Sequence, residues 1–443
     1  MITRIEIDGF KSFENFALDL RPFVAIVGPN ASGKSNLFDA LRFLSLLAQQ
    51  AIPAAMTGLR GEPGELFRRT SAGGARSMNF AVEILLGSGG TDPFGTHYKT
   101  PTRRLRYELS LDLTTGPGGV AQAVSVGREA CKPIRRKEDR ASWLVSRVPW
   151  LTYEHSHVGD FIRPAQNNPR AVALRQDGPH KSGKPRVLPL DGASRTVLST
   201  VTTAEFPHLC ALRDLLIAIR FLEIDPAAAR VANDRLAQPV LLPDASNLAA
   251  VLSHLRQRTA TPDRPDGVLA DIGAALASLV PSVRGLILHD DPSQPRISFA
   301  LKLDNDMEFS ARVISDGTLR LLALLTMLLD PVQRGVLCFE EPENGVHEGL
   351  IPALVQRLRE ATTDGEIFQV LLATHSPAVM EALQDEELVV ADSVIGLGPQ
   401  AGVRAVRTRM RTGVGPRADL FDPEHMLTRD EVERLLRSPG RAA

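Results

Sequence analysis

The stretch Phe23-Val-Ala-Ile-Val-Gly28-Pro-Asn-Ala-Ser-Gly33-Lys34-Ser35 decides the fold of this chain. Its first five residues are all apolar, which predicts a β-strand buried on both faces. A glycine-rich turn follows, and from Lys34 onward leucines recur at spacings of three and four, which predicts an amphipathic helix. Because strand, glycine-rich loop and helix form the order that a phosphate site requires, we expect Gly28 to Ser35 to bind phosphate.

Gly28 to Ser35 matches the pattern GxxxxGK[ST] at every fixed position. In such a loop the backbone amides and the helix N-terminus surround a β-phosphate, Lys34 places a positive charge on the β- and γ-oxygens, and the Ser35 hydroxyl binds Mg²⁺. The alternative is a glycine-rich turn that matches by chance, and the flanking strand and helix argue against it. The expected nucleotide-binding residues in this region are Gly28, Pro29, Asn30, Ala31, Ser32, Gly33, Lys34, Ser35 and Asn36.

A second apolar strand, Val336 to Phe339, leads directly into two carboxylates, Glu340 and Glu341. Ligands of open α/β sheets bind at the carboxyl ends of the strands. We therefore expect Glu340 to hold Mg²⁺ and Glu341 to polarise the attacking water. The alternative is a helix N-terminus enriched in acids for reasons of the helix dipole.

A third apolar strand, Gln369 to Ala373, ends in Thr-His-Ser, and an imidazole at this place can contact a γ-phosphate or the attacking water. His375 is thus the second predicted catalytic residue, although a lone histidine after a strand is often structural. The fourth element, Ser315, Asp316, Gly317 and Thr318, precedes a long apolar helix and could bind the phosphates of a nucleotide held by another subunit. It could equally be only a helix cap.

Composition limits the other possibilities. The chain has 443 residues, with 51 Lys plus Arg and 52 Asp plus Glu, so its net charge of −1 excludes a histone-like protein but not a local basic patch. The three cysteines are far apart and form no CxxC pair, which argues against disulfides and thiolate zinc sites and favours a reduced, cytoplasmic compartment. Neither a secretory leader nor an apolar run of membrane-spanning length is found, so we expect no membrane insertion.

The order of elements predicts a nucleotide-binding domain that is split by an insertion. Alternating segments from Met78 to Gly127 predict an antiparallel meander. Apolar spacing predicts helices over Leu209 to Leu222 and Asn247 to Arg258, and Ser246 or Asp244 could cap the second helix. Residues 128–186 hold 13 Lys or Arg against 6 Asp or Glu, together with Trp143, Trp150 and Tyr153, so they could contact DNA, although such a run is often only a solvated surface. His155 and His157 could bind a metal, but they lack partner ligands. The predicted boundaries are 1–127, 128–240 (an α-rich lobe), 241–395 and a tail at 396–443.

The four motifs, in this order and spacing, resemble one family. The sequence resembles the ABC-type ATPase heads of the structural-maintenance-of-chromosomes (SMC) and RecF class, and most of all the compact stand-alone ATPases labelled AAA. Gly9-Phe-Lys-Ser-Phe13 is similar to the opening strand and turn of these heads, which adds Lys11 and Ser12 to the expected nucleotide contacts. Ser315 to Arg320 resembles the signature motif, and Glu340 to Asn344 resembles Walker B with the D-loop. His375 resembles the switch histidine. The resemblance covers roughly 1–127 and 241–395.

Three departures from the family pattern stand out. Glu340 occupies the place of the usual Walker B aspartate, and the signature has one glycine, with Asp316 where a second small residue is common. No glutamine can be assigned to the Q-loop, for which Gln122 is the one candidate. Heptads are absent, which excludes the long coiled-coil arms of a full SMC protein.

The resemblance implies an α/β P-loop NTPase fold with a mixed core sheet, an antiparallel β-meander subdomain and the inserted lobe. It also implies that ATP and Mg²⁺ are bound, and that two copies close head to head around ATP, Ser315 and Gly317 completing the partner's site. We expect an ATPase that regulates a nucleic-acid transaction or an anti-phage effector, with DNA and a separate effector protein as partners. The alternatives are a motor subunit for a membrane partner, and an ATPase of the overcoming-lysogenization-defect type that acts with a separate nuclease.

Overall fold

The computed structural model divides the chain into two compact units. Unit 1 comprises Met1–Ile219 with Asp385–Ala443, and unit 2 comprises Arg220–Gln384. The structure describes residues 1–70, 73–116, 121–148, 151, 153, 159–166, 168–178, 185–331, 335–363, 368–397, 404–412 and 427–437 of the 443.

Strands and helices alternate along the chain. The strands are β1 (Ile2–Asp8), β2 (Phe16–Asp19), β3 (Phe23–Val27), β4 (Arg69–Thr70), β5 (Gly73–Gly74), β6 (Ser77–Leu85), β7 (Gly89–Thr91), β8 (His97–Lys99), β9 (Arg104–Thr115), β10 (Ala121–Pro133), β11 (Ile162–Ala165), β12 (Asn168–Leu174), β13 (Arg186–Pro189), β14 (Ile219–Leu222), β15 (Asn233–Asp234), β16 (Val283–His289), β17 (Arg296–Leu303), β18 (Glu308–Ser310), β19 (Gly335–Glu340), β20 (Phe368–Thr374), β21 (Leu388–Leu397) and β22 (Arg404–Thr412). The helices are α1 (Lys34–Leu47), α2 (Ile52–Thr57), α3 (Leu144–Arg147), α4 (Pro207–Ile217), α5 (Pro226–Ala229), α6 (Leu248–Thr259), α7 (Val268–Leu279), α8 (Asp316–Leu328), α9 (Ile351–Ala361), α10 (Pro377–Glu381) and α11 (Arg429–Arg437).

The largest sheet belongs to unit 1 and is antiparallel, with the strand order β13-β12-β11-β10-β9-β6-β1-β2. Alternation of apolar and polar residues along β1 and β9 buries one side chain in two, which is what an antiparallel sheet with one covered face requires. The covering helix is α1, whose Phe43 stacks on Phe10 at 5.9 Å and meets Phe80 of β6 edge-on. These aromatic contacts fix the helix against the sheet.

Three further strands of unit 1 carry the predicted phosphate loop. Strand β3 is buried at all five positions and pairs in parallel with β21, which pairs antiparallel with β22. This mixture of parallel and antiparallel pairing agrees with the predicted α/β class. Part of the predicted tail, 404–412, is therefore a sheet strand.

Unit 2 holds the other predicted motifs. Its strands β19 and β20 pair in parallel, and β14 lies beside β19. A second sheet pairs β17 with β15, β16 and β18. The leucine-rich helix α8 is buried along most of its length, as its composition predicts.

Residues 128–240 differ from the predicted α-rich lobe. β10 runs on to Pro133, and β11 to β13 continue the antiparallel sheet of unit 1. The helix predicted over 209–222 ends at Ile217, and Ile219–Leu222 forms β14, because a short apolar run fits a buried strand as well as a helix. The boundaries at 127, 240 and 395 stay predictions about domains.

Three smaller predictions concern the cap of α6, the cysteines and membrane-spanning helices. Helix α6 begins after Asn247, with no side-chain cap from the predicted Ser246 or Asp244. All three cysteines are buried thiols, Cys131, Cys210 and Cys338. In the described parts of the chain, we find no helix that is both long enough and apolar enough to cross a bilayer.

Candidate nucleotide-binding site

The predicted phosphate loop of unit 1 has the backbone of an anion-binding loop. Ala31 and Gly33 both have positive φ, 63° and 95°, and Gly33 directly precedes the 14-residue helix α1. Left-handed residues in such a turn make successive N–H groups converge, and the helix N-terminus adds its positive dipole end. The Ser32 hydroxyl is buried and has no hydrogen-bond partner in the described structure. The loop therefore fits a phosphate group.

Lys34 lies over its own loop. Its ammonium donates to the carbonyl oxygens of Gly28 at 2.7 Å and Pro29 at 2.9 Å, and the residue is 7% exposed. Both of these acceptors are neutral carbonyl oxygens, which anionic phosphate oxygens can replace as partners of the ammonium. Lys34 can therefore supply a fixed positive charge for a phosphate. Ser35 follows as the second residue of α1.

Ser12 and Asn36 form one hydrogen-bonded group with a residue that the sequence did not single out, Thr408 of β22. The Asn36 amide donates to the Ser12 hydroxyl at 2.7 Å, and the Ser12 and Thr408 hydroxyl oxygens lie 2.6 Å apart. Short-range sequence patterns hold no signal for Thr408, since it is brought to the loop by the pairing of β21 with β3 and β22.

Lys11 has other partners. Its ammonium contacts the buried carboxylate of Asp39 at 2.6 Å and the carbonyl oxygen of Arg60 at 3.0 Å. Asp39 lies on α1, so Lys11 ties the opening turn to the helix that follows the loop. This contact gives Lys11 a structural role beside the predicted nucleotide contact.

In unit 2, β19 delivers Glu340 and Glu341 at its carboxyl end. Glu341 has a positive φ of 51°, and its backbone N–H donates to the carbonyl oxygen of Ala373 at 2.8 Å. His375 follows β20, and its Nδ1 lies 2.7 Å from Oε1 of Glu341. An ionised carboxylate can only accept, so Nδ1 carries the proton and Nε2 is left for a further contact. The two predicted catalytic residues are thus brought together.

Glu343 joins this pair, and its role was not predicted. The Thr374 hydroxyl donates to Oε1 of Glu343 at 2.6 Å, while Oε2 is buried without a partner in the described structure. Burial raises the pKa of Glu343, against the hydrogen bond from Thr374. One ligand atom from each of Glu341, Glu343 and His375 lies within 4.8 Å of the others. The only sequence signal for Glu343 is its place in the Glu340 to Asn344 segment.

The predicted signature segment begins α8. The Ser315 hydroxyl accepts from the backbone N–H of Thr318 at 3.2 Å, which makes Ser315 the N-cap. Asp316 pairs with Arg230 at 2.6 Å. A β-carbon at Gly317 would lie 1.9 Å from the carbonyl oxygen of Gly345, so only glycine fits there. The segment is a helix cap, as the alternative interpretation expected, and its exposed N-terminus is also able to bind an anion.

The remaining candidates are the proposed Q-loop glutamine and the aromatic and histidine residues of the basic segment. Gln122, the Q-loop candidate, is exposed on β10 in the antiparallel sheet of unit 1. Trp150, His155 and His157 fall outside the described residues.

Comparisons with known proteins agree with the motifs. The family model described as "AAA domain, putative AbiEii toxin, Type IV TA system" matches residues 132–381, and the model "RecF/RecN/SMC N terminal domain" matches residues 1–56. The chain is 24% identical over 239 residues to the DNA replication and repair protein RecF of Rhodococcus erythropolis, which is 52% of this chain and 53% of that protein. It is 52% identical over 44 residues to the chromosome partition protein Smc of Methanocaldococcus jannaschii, 10% of this chain and 4% of that protein. The chain thus spans about half of one curated relative and a small part of the other.

The fold is similar to a solved structure. The crystal structure of an SmcHead bound to the C-winged helix domain of ScpA superposes with a TM-score of 0.51 at 13% identity, covering 93% of this chain and 97% of that chain. At this level of identity the likeness concerns the fold alone. The predicted fold class, a P-loop NTPase fold of the SMC-head type, is confirmed.

Proposed function

The chain belongs to the AAA-domain family whose model matches more than half of its length, with an SMC/RecF-like ATPase head, and from this premise we propose that it binds and hydrolyses ATP. The observation that carries the proposal is the loop from Gly28 to Ser35. It combines a buried strand, left-handed residues at Ala31 and Gly33, and a long helix whose N-terminus begins at the loop.

In this proposal the loop binds the phosphates of ATP. The backbone amides from Ala31 to Ser35 surround the β-phosphate, and Lys34 moves its ammonium from the two loop carbonyls to the phosphate oxygens. Ser35 and Glu340 stay the Mg²⁺ ligands predicted from the sequence, and Mg²⁺ would neutralise part of the phosphate charge. An exchange of two neutral acceptors for an anionic one favours the bound state.

Hydrolysis needs a base that activates water, and Glu341 is the residue that we assign to this role. The hydrogen bond from Nδ1 of His375 orients the Glu341 carboxylate and fixes the imidazole tautomer. Nε2 of His375 is then able to contact the γ-phosphate. Glu343 holds Thr374, the residue before His375, and so positions the imidazole.

The signature segment supports a dimer that closes around ATP. We propose that the exposed N-terminus of α8, with Ser315 and Gly317, binds the γ-phosphate of a nucleotide held by a second copy. A ligand that contacts both copies binds the closed dimer better than the monomer, and only such a difference in affinity shifts the equilibrium. Hydrolysis removes the shared contact and opens the dimer.

The biological role that we propose is control of a nucleic-acid transaction or of an anti-phage effector through a separate protein. The relatives named RecF and Smc, a repair protein and a partition protein, favour a DNA-related role. A motor for a membrane partner and an ATPase acting with a separate nuclease stay as alternatives. Recovery of the partner with a tagged Glu341→Gln variant in ATP would discriminate among a DNA-processing complex, a permease and a nuclease.

One surface favours DNA as a partner. The end of β10 and the turn after it expose five cations, and none of them has an ion pair with any residue that the structure describes: Lys132, Arg135, Arg136, Lys137 and Arg140. The turn holds two acids: Glu138 is exposed, whereas Asp139 points inward, where both of its oxygens accept from the buried Arg104 at 2.7 Å. The turn therefore presents mainly positive charge, which suits the DNA backbone.

DNA binding is tested with two variants of equal charge change. One replaces Lys132, Arg135, Arg136 and Lys137 by Ala, and the control replaces four other exposed cations, Arg76, Lys99, Arg195 and Arg296. We expect the first variant to weaken binding to duplex DNA and to lower the slope of log Kd against log salt by about one per lost phosphate contact. Equal slopes of log Kd against log salt for the two variants would refute DNA binding by this surface.

A further inference from the structure

The phosphate loop rests against the hairpin formed by β21 and β22, and we propose that Thr408 of β22 is a positioning residue that holds this loop in the shape required for ATP. The inference rests on the proposed binding of ATP by this loop. It goes further because β22 lies beyond the residues that either family model matches, 1–56 and 132–381.

Thr408 links three segments of unit 1 by hydrogen bonds. Its backbone N–H donates to the carbonyl oxygen of Ser12 at 3.0 Å, and its hydroxyl oxygen lies 2.6 Å from the Ser12 hydroxyl oxygen. Ser12 in turn accepts from the Asn36 amide in the first turn of α1 at 2.7 Å. The opening turn, the loop helix and β22 are thus tied together at the residue that follows Ser35.

Thr408 also touches the loop backbone. A β-carbon at Gly33 would lie 1.9 Å from the Thr408 hydroxyl oxygen and 2.8 Å from its methyl carbon, so Thr408 abuts Gly33 directly. Gly33 holds the left-handed conformation that aims the loop amides and starts α1. Thr408, which is 4% exposed, therefore packs against Gly33 and stabilises its left-handed conformation.

The other strand of the hairpin contacts the loop at two more points. The Ser393 hydroxyl donates to the carbonyl oxygen of Ala31 at 3.1 Å. A β-carbon at Gly28 would lie 2.2 Å from the carbonyl oxygen of Ala391, so β21 passes close to the start of the loop. Contacts at Gly28, Ala31 and Gly33 mean that the hairpin holds the loop along its whole length.

The hairpin is itself held rigidly, as a support must be. The Asp392 carboxylate of β21 accepts from Arg409 at 2.7 Å and from Arg411 at 2.8 Å, both on β22. A residue can position a binding loop only when its own strand is held in place. These charged pairs hold the two strands of the hairpin together. Thr408 lies next to Arg409 in the same strand.

The hydroxyl of Thr408 is tested by Thr408→Val, which keeps the shape, with Thr408→Ser as the variant that retains the hydroxyl. Thr412→Val is the matched control, since Thr412 lies exposed on the same strand. We expect Thr408→Val to raise the Kd for ATP about five- to tenfold, the effect of one or two lost hydrogen bonds. KM should rise with kcat nearly unchanged, and Thr408→Ser and Thr412→Val should bind as the unchanged protein does.

Thermal unfolding without nucleotide separates positioning from general damage. A purely structural role would lower Tm and leave the Kd for ATP unaltered, and a Kd within twofold of the unchanged protein would overturn the inference. If Thr408→Val does not fold, Thr408→Ala removes the same hydroxyl and is judged by the same criterion. If the unchanged protein binds no ATP, the proposed function itself fails, and this inference falls with it.

Discussion

Nδ1 of His375 lies 2.7 Å from Oε1 of Glu341, although 34 residues separate the two along the chain. The parallel pairing of β19 with β20 brings them together, because it places the carboxyl ends of both strands at one edge. A carboxylate oriented by an imidazole is an arrangement that serves water activation.

Glu341 is predicted to be the group that activates water. Glu341→Gln keeps the size of the side chain and removes the base, so kcat for ATP hydrolysis should fall about 100-fold or more while ATP still binds. Phosphate release and ATP titration measure the two quantities. Glu348→Gln, in an exposed position after the strand, is the control and should hydrolyse ATP normally. Unchanged kcat in Glu341→Gln would remove Glu341 from the chemistry.

The contact between Glu341 and His375 predicts that the two residues act together. In a double-mutant cycle with Glu341→Gln and His375→Ala, the effects on kcat should fall short of additivity, with a coupling energy of about 1 kcal/mol or more. Steady-state phosphate release of the four proteins supplies the cycle. Additive effects would mean that the hydrogen bond has no part in hydrolysis.

Lys34 is predicted to be necessary for binding rather than for folding. Lys34→Ala removes the charge that the phosphates would meet and should weaken ATP binding at least about tenfold. Calorimetric titration with ATP checks this result. The exposed lysine on β8, Lys99, offers the control Lys99→Ala, which should bind ATP normally. ATP binding by Lys34→Ala with the affinity of the control would show that this loop is not the nucleotide site.

The sequence predicted the parts of the site that short patterns encode. Phe23 to Ser35 and Glu340 to Glu341 are local signals, since the strand, the loop and the carboxylates follow each other directly. The supporting contacts were missed because they join distant parts of the chain: Thr408 reaches Gly33 only through the pairing of β3, β21 and β22.

The predicted insertion, 128–240, also shows that local sequence patterns do not encode tertiary pairing. Within 209–222 the apolar spacing predicted one helix, but tertiary pairing turned Ile219–Leu222 into a strand. Propensity is weak over four residues, so the sheet decides their conformation. The Glu343 side chain was likewise missed, since its burial beside Thr374 depends on how β20 ends.

Glu129 predicts a pH dependence of stability. It is fully buried and accepts from the backbone N–H groups of Val197 and Leu198 and from the Tyr107 hydroxyl. Burial raises its pKa to about 7, from 4.5, against the lowering by these hydrogen bonds. A raised pKa in the folded state means that the folded protein binds more protons than the unfolded chain between these values.

The contribution of Glu129 to stability is therefore complete below pH 4.5 and is lost as the pH rises through about 7. Between pH 4.5 and about 7, the ionisation of Glu129 should reduce the free energy of unfolding by on the order of 3 kcal/mol. Urea unfolding at a series of pH values should show a steeper decline for the unchanged protein than for Glu129→Gln. Parallel pH profiles for the two proteins would contradict the prediction.

The most direct test of the ATPase-head account is size-exclusion chromatography of Glu341→Gln with and without ATP and Mg²⁺. Because this variant should bind ATP without hydrolysing it, we predict a monomer without nucleotide and a stable dimer with ATP, and no dimer for the double variant Lys34→Ala, Glu341→Gln. A Glu341→Gln protein that binds ATP but stays monomeric would contradict the closing of two heads around ATP, and one that binds no ATP would contradict the account as a whole.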